Sequence, residues 1–95
     1  MPEPRPVEFR GSALDDLRTF PASARRAAGH QPIGQGVQEI RIRDAAGAFR
    51  VIYVARFADA VHVLHCFRKK TQRTAKADLD LGERRYRDLL KERGR

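Results

Sequence analysis

The sequence predicts an α+β domain: two short N-terminal helices, an antiparallel β-meander, and a C-terminal helix packed on the sheet. Three observations predict it. The spacing of apolar residues is helical over 12–30, alternating over 37–67, and helical again over 75–90. The alternating runs are joined by only two short links, which suits hairpins rather than crossover helices. Ninety-five residues, 41% of them apolar, make one domain with a modest core.

Each element has its own signals. Pro2, Pro4 and Pro6 make residues 1–6 a loose lead-in. "VEFR" (Val7–Arg10) alternates and reads as a short first strand. In "GSALDDLRTF", Ser12 is a candidate N-cap, with Asp15 in the capping-box position and Asp16 in the first turn. Leu14, Leu17 and Phe20 follow on one helical face. Pro21 ends that helix and opens the next, "PASARRAAGH", which Gly29 is placed to close. "QPIGQG" is a loop. Ile40 and Ile42 then alternate with Glu39, Arg41 and Arg43, giving a strand with one buried and one wet face. "DAAG" is a turn. "FRVIYVARF" is mostly apolar and therefore interior. "ADA" connects to "VHVLHCF", the last strand of the meander. Ala75, Leu79, Gly82, Tyr86, Leu89 and Leu90 give the closing helix its apolar face, and Gly82 allows close packing.

Charge narrows the function. Twenty Lys and Arg face twelve Asp and Glu, for a net charge of +8. Most of the cations are arginine, whose planar fork suits phosphate. The expected partner is a polyanion: RNA, DNA or an acidic protein. A lone Cys66 excludes an internal disulfide and a Cys-rich metal site, and the three histidines form no ligand pattern. Neither a metal nor another cofactor is expected. No apolar run approaches the ~20 residues that span a bilayer, and "MPEPRPVEF" lacks the core of a signal peptide. The expected location is cytoplasmic, with no membrane partner.

Three stretches carry a family resemblance: "ALDDLRTFP", "VQEIRIRDAAGAFRVIYVARF" and "VLHCFRKKTQRTAKADLDLGERRYRDL". The last is the most specific, a strand ending in Leu-His-x-Phe-x-Lys-Lys followed by a Thr-rich link into a helix. Together they resemble the RelE/ParE toxin superfamily, and more closely its phage-derived HigB-like branch. Two departures stand out: Ala75 replaces a common Pro, and the loop before the first meander strand is short. The resemblance implies a RelE-like fold and the toxin of a type II toxin–antitoxin system. It implies a cognate antitoxin, in this branch usually a helix-turn-helix protein. RelE-type members enter the ribosome and cut mRNA; ParE-type members poison DNA gyrase by binding. A toxin that has lost catalysis and keeps only antitoxin binding is a third alternative.

Metal-free RNA cleavage uses the substrate's 2′-hydroxyl as nucleophile. The enzyme removes that proton, neutralises charge on the phosphorane-like transition state, and protonates the leaving 5′-oxygen. Four candidate catalytic residues follow. Arg50, on the interior strand, matches the family's central-strand arginine; its structural alternative is pairing with Glu39 or Asp44 across the hairpin. Lys69 and Lys70 match the cationic strand end, with a solvated strand end as the structural alternative. His65 has a near-neutral ordinary pKa suited to proton transfer, yet strand parity puts it on one face with Val61, Val63 and Phe67, where a histidine is equally a core residue. Arg41, Arg43, Arg68 and Arg73 are candidate RNA-binding residues, with a charged, aggregation-resistant surface as the alternative. His30 and His62 read as incidental, Tyr53 and Tyr86 as core, and Cys66 as a small buried apolar group.

Overall fold

Seven elements follow one another: β1 (Val7–Phe9), α1 (Ala13–Arg18), α2 (Ala22–Gly29), β2 (Val37–Asp44), β3 (Gly47–Val54), β4 (Val61–Lys69) and α3 (Lys76–Arg93). They are seen in a computed structural model that describes residues 5–29, 36–70 and 75–94. His30, Arg73, most of "QPIGQG" and the first four residues lie outside that description. The strand order is β1-β4-β3-β2. The meander β2-β3-β4 is antiparallel as expected. The sheet as a whole is mixed, because β1 pairs in parallel with β4 through Val7–Val61, Glu8–His62 and Phe9–Val63. The lead-in is anchored from residue 5 onward: the Arg5 guanidinium donates to the Ala55 and Phe57 carbonyls at 2.8 and 3.0 Å.

Alternation sorts the sheet into two faces. Ile40, Ile42, Phe49, Val51, Tyr53, Val61, Val63 and Cys66 pack against Ala13, Phe20 and Ala24 of the N-terminal segment. On the other face Ile52, Val54, Leu64 and Phe67 meet Leu89 and Tyr86 of α3. Leu64, Leu89 and Val54 are almost wholly buried, and each contributes about 1.5–3 kcal/mol of transfer free energy. Gly82 lets α3 lie close: a Cβ there would stand 3.3 Å from Ile52 Cδ1.

The β2–β3 turn is held by Asp44, whose Oδ1 accepts from the Ala46 amide at 2.8 Å while Oδ2 accepts from Ser23 Oγ at 2.8 Å. The predicted capping box is absent. Ser12 stands at the N-cap of α1 with φ −84° and ψ 8°, not the extended backbone that turns a hydroxyl onto the helix amides. Its Oγ donates instead to Asp16 Oδ2 at 2.8 Å, and Asp15 forms an exposed pair with Arg18.

β4 has a bulge. Ile52 is opposite His65, whereas Tyr53 is opposite Val63, so Leu64 is the extra residue. Arg85 of α3 secures it: Nη1 donates to the Leu64 carbonyl at 2.8 Å and Nη2 to Ser12 Oγ at 3.2 Å. Gly11, at φ +54°, leaves room for that guanidinium, since a Cβ would come within 2.7 Å of it.

Candidate functional site

The bulge decides which side chains meet. Directly opposed residues of an antiparallel pair point to one face. His65 is opposite Ile52, Phe67 opposite Arg50 and Lys69 opposite Ala48, all on the α3 side; Cys66 and Arg68 point to the α1 and α2 side. The parity expected for His65 is therefore corrected. The extra residue at Leu64 moves His65 and Phe67 off the face of Val61 and Val63 and under α3.

β4 also runs further than its apolar core, through Arg68 and Lys69. Alongside this end lies a cleft of about 410 Å³, lined by Asp16, Thr19 and Phe20 on one side and Ala75 and Asp78 on the other. Its floor is the strand from His65 to Lys70. Four of the eight predicted site residues, His65, Arg68, Lys69 and Lys70, thus line one concave surface. A second hollow, of about 400 Å³, lies among Val7, Phe9, Ile40, Tyr53 and their neighbours, with Arg25 as its charged wall residue.

In the cleft His65 Nε2 lies 2.7 Å from Asp78 Oδ1, and the imidazole stacks on Phe67 with ring centroids 4.8 Å apart. The His65 side chain is 7% exposed, that of Asp78 29%. His65 Nδ1 is buried with no hydrogen-bond partner among the described residues. That assigns the tautomer. A proton on Nδ1 would bury an orphaned donor and set the bare Nε2 lone pair against a carboxylate oxygen. The proton is on Nε2, which donates to Asp78. Neither Lys69 nor Lys70 has an ion pair among the described residues, and Lys70 is exposed. Burial pushes the Cys66 thiol up to about 12, so it is a protonated packing group.

The other candidates stand apart. Arg50 is on the α3 face but not in the cleft. Its guanidinium donates to the Phe49 carbonyl at 3.1 Å and lies 3.8 Å from Glu39 Oε1, the carboxylate alternative anticipated from the hairpin. Arg41 shares that oxygen at 2.9 Å. Arg41 and Arg43, opposite Arg50 and Ala48, continue an exposed basic track along β2 on the same face. Arg68 lies 5.8 Å over the Phe49 ring and donates to the Ala46 carbonyl at 2.5 Å, which ties it to the turn. Sequence reasoning passed over two residues. They are Asp78, 13 residues from its partner His65, and Arg85, 21 residues from the Leu64 carbonyl it bonds.

Among the described residues no three His, Cys, Asp or Glu side chains converge as a metal site, and no helix is long and apolar enough to cross a membrane. A family model described as "Phage derived protein Gp49-like (DUF891)" matches residues 9–87. Among solved structures the chain is similar to the E. coli toxin RelE, an arginine-to-alanine double mutant in the free state. The identity is 14% and the TM-score 0.61, over 85% of this chain and 96% of that one. The likeness establishes a RelE-like fold. No curated protein matches.

Proposed function

From the phage-derived Gp49-like family, to which this chain belongs, and from its cationic cleft, we propose that the protein is the toxin of a type II toxin–antitoxin pair and cuts mRNA on the ribosome. The observation that carries this reading is the convergence of Lys69 and Lys70, which have no ion pair among the described residues, with His65 and Asp78 in one cleft at the end of a rigid strand. Fixed cations there neutralise charge on a phosphorane without reorganising. The arginine track on β2 extends the positive surface along which a strand of RNA would lie. The RNA 2′-oxygen attacks phosphorus, a 2′,3′-cyclic phosphate forms, and the 5′-oxygen leaves with a proton. The partners are mRNA, the ribosome and a cognate antitoxin, a helix-turn-helix protein in the HigB-like branch. The setting is the cytoplasm.

The test is primer extension on an mRNA translated in the presence of the protein. Discrete cuts within codons that require ribosomes support the reading. Intact mRNA with gyrase-dependent DNA breaks would assign the protein to the gyrase-poisoning class instead. Absence of both, with antitoxin binding retained, would mark a toxin that has lost its chemistry.

A further inference from the structure

We propose that Asp78 is the general base of this site and that His65 is its positioning residue, an inference that rests on the ribonuclease reading above. The usual assignment for such a pair would make the imidazole the base. The geometry points the other way. Nε2 already carries the proton it gives to Asp78 Oδ1, 2.7 Å away. A second proton would have to go to Nδ1, which is buried and faces no acceptor. His65 is thus closed to substrate on both nitrogens. Both side chains line the cleft, but Asp78 is the more open of the pair: its side chain is four times as exposed as that of His65 (29% against 7%). Among the described residues its second oxygen has neither hydrogen bond nor ion pair.

The division of labour follows. Phe67 stacks on the imidazole, and the imidazole holds one carboxylate oxygen, so the other is presented at a fixed angle. The ribose 2′-O–H bond breaks and its proton goes to Asp78 Oδ2. The 2′-oxygen bonds to phosphorus, and the bond from phosphorus to the 5′-oxygen breaks. The leaving oxygen takes a proton from the ammonium of Lys69 or Lys70. Solvent then carries the proton from Asp78 to the lysine, which restores both groups. The ammonium groups of Lys69 and Lys70 also hold the phosphate against the carboxylate that would otherwise repel it.

Asp78→Asn keeps a carbonyl acceptor for His65 Nε2–H and removes the base. His65→Gln keeps an amide donor for Asp78 and removes the imidazole. In ribosome-dependent cleavage, Asp78→Asn is expected to lose about 100-fold or more in rate with ribosome binding and melting temperature retained. His65→Gln is expected to stay within about tenfold of the native rate. A third variant, Asp78→Ala, reads the chemistry directly: added formate is expected to restore part of its cleavage, chloride at equal ionic strength none. Native-like cleavage by Asp78→Asn, a loss in His65→Gln equal to that in Asp78→Asn, or absence of formate rescue would each overturn the assignment. Failure of the native protein to cut under the same conditions would overturn the ribonuclease reading itself, and the assignment with it.

Discussion

β4 carries two buried histidines three residues apart, both facing α3, and their surroundings have little in common. His62 stands edge-on to Phe57 with ring centroids 5.7 Å apart, and its nearest carboxylate, on Glu8, is 3.9 Å away. Neither of its ring nitrogens has a hydrogen bond among the described residues. The charges around it are consumed in ties between elements. Arg93 bonds to Asp59 and lies 4.3 Å over the Phe57 ring, and Arg10 holds Glu92 through two bonds at 2.8 and 2.5 Å. That end of the strand fastens the C-terminal turns of α3. At the other end His65 is bonded to a carboxylate, and the adjacent ammonium groups pair with nothing described. Identical residue types on one strand and one face therefore differ by whether their neighbours' charges are already satisfied. Cations left unpaired beside a concavity are free for an anionic ligand; cations locked in ion pairs are not.

The largest expected effect lies at the open end. Replacing both Lys69 and Lys70 by Ala should reduce ribosome-dependent cleavage by roughly 10²–10⁴, the usual contribution of positioned proton donors and phosphate cations. The protein should stay folded, because among the described residues neither ammonium is used in a structural tie. Full toxicity of the double variant in a growth-arrest assay would remove the cleft from the mechanism.

Next comes the packed end. Leu89 is 2% exposed in the cluster with Val54 and Leu64. Leu89→Ala should cost about 2–5 kcal/mol of stability, read as a lower urea midpoint. The cleavage rate of the folded fraction should be unchanged. A parallel loss of rate would break the division of β4 into a fastening end and a working end.

The bulge joins the two. Arg85→Met removes the donor to the Leu64 carbonyl while keeping most of the side chain's bulk. An unsatisfied, partly buried carbonyl should cost about 1–3 kcal/mol. Because the bulge aims His65 and Phe67, the rate should also fall severalfold, by no more than the loss in His65→Gln. A stability loss without any change in rate would show that the strand keeps its register unaided.

These three sites differ in how plainly the chain announced them. The Lys-Lys pair is adjacent in sequence, and the alternation that leads into it is local, so the cationic strand end could be read from residues 61–70. The element order of the meander and closing helix was legible for the same reason: each period is a property of a short window. The bulge was not. A one-residue insertion leaves composition and alternation nearly intact while it inverts the face of every later side chain. Asp78 and Arg85 were missed because their partners are 13 and 21 residues away, and long-range pairing leaves no periodic trace. β1 was placed correctly, but its parallel partner, far along the chain, could not be inferred from three residues. Arg50 left two readings open from sequence, a catalytic role and a carboxylate partner across the hairpin, and Glu39, diagonal to it on β2, lies near its guanidinium.

His62 supplies the smallest effect, and its sign follows from burial. Burial pushes its pKa below the ordinary histidine value, chiefly by desolvation; Glu8 and Asp59 oppose the shift, while Arg93 and Arg10 reinforce it. Below the ordinary value of about 6.5 the unfolded chain takes up the proton and the folded chain resists it. Stability should thus be intact at pH 7 and decline as the pH falls through 6.5, until the lowered folded-state pKa is passed and the slope ends. His62→Phe keeps a ring beside Phe57 and removes the titration. The thermal midpoint of the native protein minus that of the variant should fall from pH 7 to pH 5, because only the native protein bears this cost. Every other group is common to both proteins and cancels in the difference. Parallel midpoint curves would mean that His62 binds its proton as readily folded as unfolded, and the fastening end would then be no less tolerant of charge than the cleft.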